Sequence, residues 1–114
     1  MPTIRPSMKD SCPAARFQKM VSGKYKLRIL WGLKDGWRRY GEIRKGLLTG
    51  TLGTVEIAPR VLTRELKTLL NMGMVERRDH QQFPLKVEYR LTRKGRSFLP
   101  IIGEIRKWGE RHLV

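Results

Sequence analysis

A change of period part-way along the chain does most to limit its architecture. From Pro59 onward, Leu62, Leu66, Leu69 and Leu70 recur at helical spacing and form one apolar stripe. Further on, Val87, Tyr89 and Leu91 alternate with Lys86, Glu88 and Arg90, the period-2 pattern of a strand with one wet face. Met74 to Asp79 reads as its antiparallel partner, and His80-Gln81-Gln82-Phe83-Pro84 has the length of a hairpin loop. A helix followed by a hairpin needs other helices to close a core. The preceding sequence offers three.

Pro13 suits the first position of a helix, which puts Cys12 at its N-cap, and apolar Phe17, Met20 and Val21 follow before Gly23. Lys24 to Lys34 carries Tyr25, Leu27, Ile29, Leu30, Trp31 and Leu33 around most of its circumference, as a central buried helix does. Asp35-Gly36 ends it, and a third helix spans about Tyr40 to Leu47. Leu48 to Ala58, with its threonines and glycines, reads as a loop. After the hairpin, Thr92 is placed to cap a last helix from Arg93 to about His112, kinked at Pro100. The order predicts a mainly α chain with a small β-hairpin (α+β), a winged helix-turn-helix. It forms one domain over residues 12–114 behind a flexible basic arm over residues 1–11.

Charge narrows the function. Lys and Arg number 25 against 10 acidic residues, a formal charge of +15. Solubility alone needs a net charge of only about 2–8 in magnitude, so a polyanionic partner is implied, nucleic acid first and an anionic membrane surface second. No run approaches the roughly 20 apolar residues that span a bilayer, and Met1 to Met8 lacks a signal-peptide core, so a cytoplasmic protein is expected. Cys12 is the one cysteine, which excludes a disulfide within the chain, and it stands far in sequence from His80 and His112. Neither a metal site nor a cofactor is expected, and nothing resembles a phosphate loop or a nucleophile elbow.

The Pro59 helix fits double-stranded DNA as partner. Arg60, Thr63, Arg64 and Lys67 share a stripe turned away from the leucines, and arginine grips a guanine edge with two hydrogen bonds. The plainer alternative is a solvated basic face. Arg77, Arg78 and Lys86 flank the hairpin loop and suit a DNA-contacting wing, or else discourage edge-to-edge pairing. Arg38 and Arg39, with Trp37 and Tyr40, open the third helix in this reading, where they would position phosphates. The last helix carries Phe98, Ile101, Ile102, Ile105 and Trp108, more apolar surface than a small wing domain needs. With Phe17 and Met20 they are expected to form a core shared with a second subunit, the alternative being a core within one chain. Such a homodimer would set two recognition helices about 34–36 Å apart on a near-palindromic operator.

Taken in order, several segments resemble the HxlR-type winged-helix regulators of bacteria and archaea. They are Cys12-Pro13, Gly23-Lys24-Tyr25, Gly36-Trp37-Arg38-Arg39-Tyr40-Gly41-Glu42-Ile43, Leu62-Thr63-Arg64-Glu65-Leu66, Gly73-Met74-Val75-Glu76-Arg77, Val87 to Gly95 and Trp108-Gly109. The resemblance implies a homodimer joined by its terminal helices that represses or activates genes. It also implies that Cys12 senses oxidants or electrophiles, which fits a helix N-terminus flanked by Lys9 and Arg16. A cysteine that merely caps the helix is the alternative. Tyr25 stands where the family usually has Trp, and Leu48 to Ala58 is several residues longer than the family's turn. One other function remains open at this point, a non-specific architectural or RNA-associated protein; an enzyme is not expected, since a thiol peroxidase using Cys12 would lack a resolving cysteine and any evident base.

Overall fold

The computed structural model describes residues 12–49, 56–80 and 86–113. The basic arm, most of the long loop and the hairpin tip lie outside them. The described elements run α1 (Pro13–Met20), α2 (Lys26–Gly32), β1 (Arg38–Arg39), α3 (Tyr40–Thr49), α4 (Pro59–Asn71), β2 (Val75–Asp79), β3 (Val87–Leu91), α5 (Arg93–Ser97) and α6 (Leu99–His112).

The leucine stripe lies where its period places it. Leu62, Leu66 and Leu69 of α4 are buried against Ile29, Leu30 and Leu33 from α2 and its end, and Ile43 and Leu47 from α3. α2 is the central helix, though shorter than the sequence implies: Tyr25 is its N-cap and Leu33 its C-cap. Gly36, at φ 117°, then turns the chain where a side chain would be strained.

Three elements differ from expectation. Arg38 and Arg39 do not open a helix. They form β1, which pairs antiparallel with β3 through Arg38–Tyr89 and Arg39–Glu88. The hairpin therefore becomes a three-stranded sheet in the order β1-β3-β2, with β3 in the centre. A two-residue strand has too little length to show a period, and its partner lies about fifty residues away, so pairing rather than local pattern decides its state.

The second difference is at Leu48 and Thr49, which continue α3 instead of starting a loop. At the far side of that loop Ile57 is buried in the core. The third is the last helix, which breaks instead of kinking: α5 ends at Ser97, Phe98 joins the pieces, and Pro100 lies in the first turn of α6. The cap at Thr92 is as the sequence predicts, its hydroxyl accepting from the Gly95 amide at 3.1 Å. The same hydroxyl donates to the Gly73 carbonyl at 2.6 Å, and Lys94 Nζ donates to the Met72 carbonyl at 2.9 Å. These bonds fasten the start of α5 to the end of α4.

Candidate nucleic-acid interface

α4 holds a basic face whose position is fixed at its first turn. Pro59 sits at the start of the helix, and Leu62, Leu66 and Leu69 bury one side. Arg60, Thr63, Arg64 and Lys67 are all exposed on the other, as the spacing predicts. Tyr40, at the start of α3, donates its hydroxyl to the Pro59 carbonyl at 2.6 Å. Arg44 Nε donates to the Ile57 carbonyl at 3.2 Å. With Ile57 buried, the chain is anchored at α4's first residue and just before it. The extra length of the connection therefore does not free the helix to wander. Thr63 donates its hydroxyl to the Pro59 carbonyl at 3.0 Å in the free protein, so that oxygen is left with acceptor capacity.

At its middle, α4 is tied to α2. Lys26 and Glu65 form an ion pair at 2.8 Å with both side chains largely buried. An open groove of about 850 Å³ lies beside it, lined by Pro13, Phe17 and Met20 of α1, by Thr68 and Met72, and by Arg16, Lys19, Lys26 and Lys94.

The wing residues divide. Arg77 is exposed, with Asp79 at 3.8 Å. Lys86 is half-buried, and its carbonyl accepts the His80 amide at 2.9 Å, closing the described part of the hairpin. Arg78 is as exposed as Arg77 but is held by partners: its Nε donates to Glu88 at 2.9 Å, and its guanidinium lies over the Trp37 ring at 4.0 Å. Arg90 lies over the same ring at 4.5 Å and pairs with Glu76 at 3.2 Å. Glu88, assigned by alternation to a wet face, is only 9% exposed. His80 Nε2 donates to it at 2.6 Å. The bond from His80, reinforced by Arg78 and the nearby Lys86 charge, outweighs burial and holds the Glu88 carboxyl down at about 2.

Sequence reasoning missed this cluster. A Trp before two arginines and a glutamate in a basic strand were its available signal. Arg38 and Arg39 stay near the α3 N-terminus: the Arg39 amide donates to Glu42 at 2.8 Å, capping the helix. Arg38 donates to the Trp37 carbonyl at 2.8 Å and has Asp35 at 3.9 Å.

The apolar residues assigned to a subunit contact also divide. Phe98 and Ile102 are 5% and 1% exposed and belong to this chain's own core. Met20 is half-buried against that core. Phe17, Ile101, Ile105 and Trp108 remain 39%, 49%, 41% and 54% exposed. Phe17 packs edge-on against Phe98, ring centroids 5.6 Å apart, which brings α1 to the start of α6. Cys12 is exposed and free at the head of α1. The amides of Ala15 and Ala14 and the Arg16 charge lower its thiol pKa, although no amide makes a close capping bond to it. Lys9 lies outside the described residues.

Residues 20–114 match the family described as HxlR-like helix-turn-helix. The chain belongs to that family. The HxlR-like chain is 35% identical over 103 residues to the HTH-type transcriptional regulator YdeP of Bacillus subtilis, spanning 90% of this chain and 75% of that protein. Its fold matches a MarR-family transcriptional regulator from Porphyromonas gingivalis W83 with a TM-score of 0.80 and 30% identity, over 96% and 98% of the two chains. It also matches the redox regulator HypR in its oxidised form, with a TM-score of 0.75 and 34% identity over 89% and 97% of the two chains. The relatives are transcriptional regulators, and the mostly helical fold with its small sheet is that of winged-helix regulators. Among the described residues no helix is long and apolar enough to cross a membrane.

Proposed function

We propose that this HxlR-like protein is a cytoplasmic homodimer that reads a near-palindromic operator in double-stranded DNA and changes its occupancy when Cys12 is oxidised or alkylated. The observation that carries the reading is the α4 face: Arg60, Thr63, Arg64 and Lys67 stand exposed together on a helix buried behind and pinned at its first turn. A helix held this way presents donors to base edges at low entropic cost. Arg77 and Lys86 supply phosphate or minor-groove contacts beside it, and Arg38 and Arg39 supply phosphate contacts near the α3 N-terminus. Phe17, Ile101, Ile105 and Trp108 form the face on which the second subunit closes, with Met20 at its edge. Its exposed apolar rings and branched chains are the surface that burial against a second copy would remove from water.

Cys12 is exposed at a helix N-terminus with its thiol pKa lowered, which raises the reactive thiolate fraction. The fold likeness to a redox regulator supports that role. With one cysteine per chain, the products are a Cys12–Cys12 bridge between subunits, a mixed disulfide or an adduct.

Binding to genomic fragments, including the protein's own upstream region, at two salt concentrations tests the reading. One protected near-palindromic site surviving about 200 mM salt is expected. Arg64→Ala should cost about 1–3 kcal/mol at one base pair of each half-site. The charge of +15 favours one competitor, a non-specific architectural or RNA-associated binder. Equal binding to every fragment that collapses with salt would establish that competitor instead.

A further inference from the structure

We infer that Trp37, Arg78, His80 and Glu88 form a brace that sets the wing on the helix-turn-helix, and that Arg78 serves DNA binding through position, not phosphate contact. The inference rests on the DNA-binding reading above. The four residues come from all three parts of the sheet. Trp37 leads into β1, which runs directly into α3 and so into the helix-turn-helix. Arg78 lies on β2, His80 just past its end, and Glu88 on the central β3. Arg78 and Arg39 both stand opposite Glu88 in register, so Glu88 sits between the two outer strands.

The chemistry favours a fixed assembly. Glu88 is nearly buried, and one of its oxygens receives both Arg78 Nε at 2.9 Å and His80 Nε2 at 2.6 Å. Charge-assisted bonds to a carboxylate shielded from water are strong and directional. The Arg78 guanidinium carbon lies 4.0 Å from the centre of the Trp37 ring, a cation–ring contact to which a planar guanidinium is better suited than a lysine ammonium. Arg90 at 4.5 Å ties β3 to the same ring. A charge neutralised by a carboxylate at 2.9 Å releases few counterions when DNA arrives. Arg77, one residue away, has its nearest described acid at 3.8 Å and keeps its charge for the phosphates.

The salt dependence of operator binding separates position from contact. Each lost phosphate contact flattens the slope of log K against log salt by about 0.9. Full-length Arg78→Ala should weaken operator binding about tenfold with the wild-type slope kept, and Glu88→Gln should weaken it about tenfold with no flattening of the slope, whereas Arg77→Ala should lose about 0.9 of slope. Trp37→Phe, which keeps a ring for Arg78, should bind within about threefold of wild type, and Trp37→Leu should match the tenfold loss. Circular dichroism confirms that each variant is folded. In the free protein, amide hydrogen exchange across Arg77–Asp79 and Val87–Tyr89 should quicken in Glu88→Gln, a readout that needs no DNA. A slope lowered by about one in Arg78→Ala would make Arg78 a phosphate contact and overturn the inference. So would Glu88→Gln with unchanged affinity and exchange. If the wild type shows no operator preference, the operator reading fails, and the exchange measurement alone decides the brace.

Discussion

One substitution type, glycine to alanine, is expected to have opposite effects at two helical positions of this fold. At Gly95 in α5, an added Cβ would collide with the Met74 carbonyl oxygen and stand 3.2 Å from Leu91 Cβ and Cδ2. The carbonyl cannot give way freely, because it accepts the Thr92 amide at 3.0 Å where α5 begins. Overpacking against backbone costs about 3 kcal/mol, the upper part of its usual range. Straining that hydrogen bond adds about 1 kcal/mol, and the helix preference of alanine returns about 1 kcal/mol. The net is about 3 kcal/mol of destabilisation, or a fall in Tm of about 12–20 °C in a domain of this size. At Gly46 in α3 an added Cβ meets nothing within 4 Å. There the entropic advantage of alanine stands alone, about 0.5–1 kcal/mol of stabilisation. Reversible thermal unfolding followed by circular dichroism, on both variants at one protein concentration, reads the two signs. A Gly95→Ala protein as stable as wild type would show that α5 does not press on the α4–β2 turn as described.

Three further perturbations address the site. Ile105→Glu places a charge in the exposed α6 face and should leave a folded monomer that binds a full operator at least about tenfold more weakly, since two half-sites no longer act together; sedimentation showing an intact dimer at micromolar concentration would refute the assignment of that face. Glu88, at about 2, lies below its ordinary value of 4.5, so its contribution is present in full above about pH 4.5 and is lost as pH falls toward 2. The Tm gap between wild type and Glu88→Gln should therefore narrow between pH 5 and pH 2, and a gap that stays constant there would count against the bonds to Arg78 and His80. Tyr40→Phe removes the hydroxyl that holds the Pro59 carbonyl, which should cost about 0.5–1.5 kcal/mol of stability; an unchanged Tm would show that this bond does not hold the first turn of α4.

What the sequence disclosed depended on how local the deciding interaction is. The α4 stripe, the Thr92 cap and the β2–β3 hairpin are written in neighbouring residues, and they stand where spacing put them. β1 was invisible because two arginines become a strand through pairing with residues about fifty positions on. Glu88 was misplaced by the same blindness: alternation assigns a face but not what covers it, and here Arg78 and His80 do. Ile57 hid inside a loop composition because the apolar residues scattered there among threonines and glycines, Leu52, Val55 and Ile57, show no helical period. Phe98 and Ile102 stand one helical turn apart and face the core, whereas Ile101, Ile105 and Trp108 fall on the neighbouring face of α6 and stay exposed, so one broad stripe in the sequence divides by helical phase.

The position of Cys12 bears on what its oxidation would do to DNA recognition. α1 has no fully buried residue, so it can shift at lower cost than any helix packed in the core. Its described packing is through Phe17 on Phe98 at the start of α6 and through Met20 on the core, while an open groove lies between it and Thr68 and Met72 at the C-terminal end of α4. None of these is the first turn of α4, where Tyr40 and Ile57 anchor the exposed basic face independently of α1. Oxidation of Cys12 by hydrogen peroxide should therefore change how the two subunits of the proposed dimer are set, and leave each half-site reading as it was. The preferred spacing between half-sites should move, or affinity for the full operator should fall by tenfold or more, while the base preference within a half-site stays constant. Cys12→Ser should be indifferent to peroxide in both respects. Binding selections on operator libraries varied separately in spacing and in half-site sequence, with reduced and oxidised protein, measure the two effects apart. A changed base preference at unchanged spacing would mean that the signal travels through α4 itself, and the route through the α1–α6 contact would have to be abandoned.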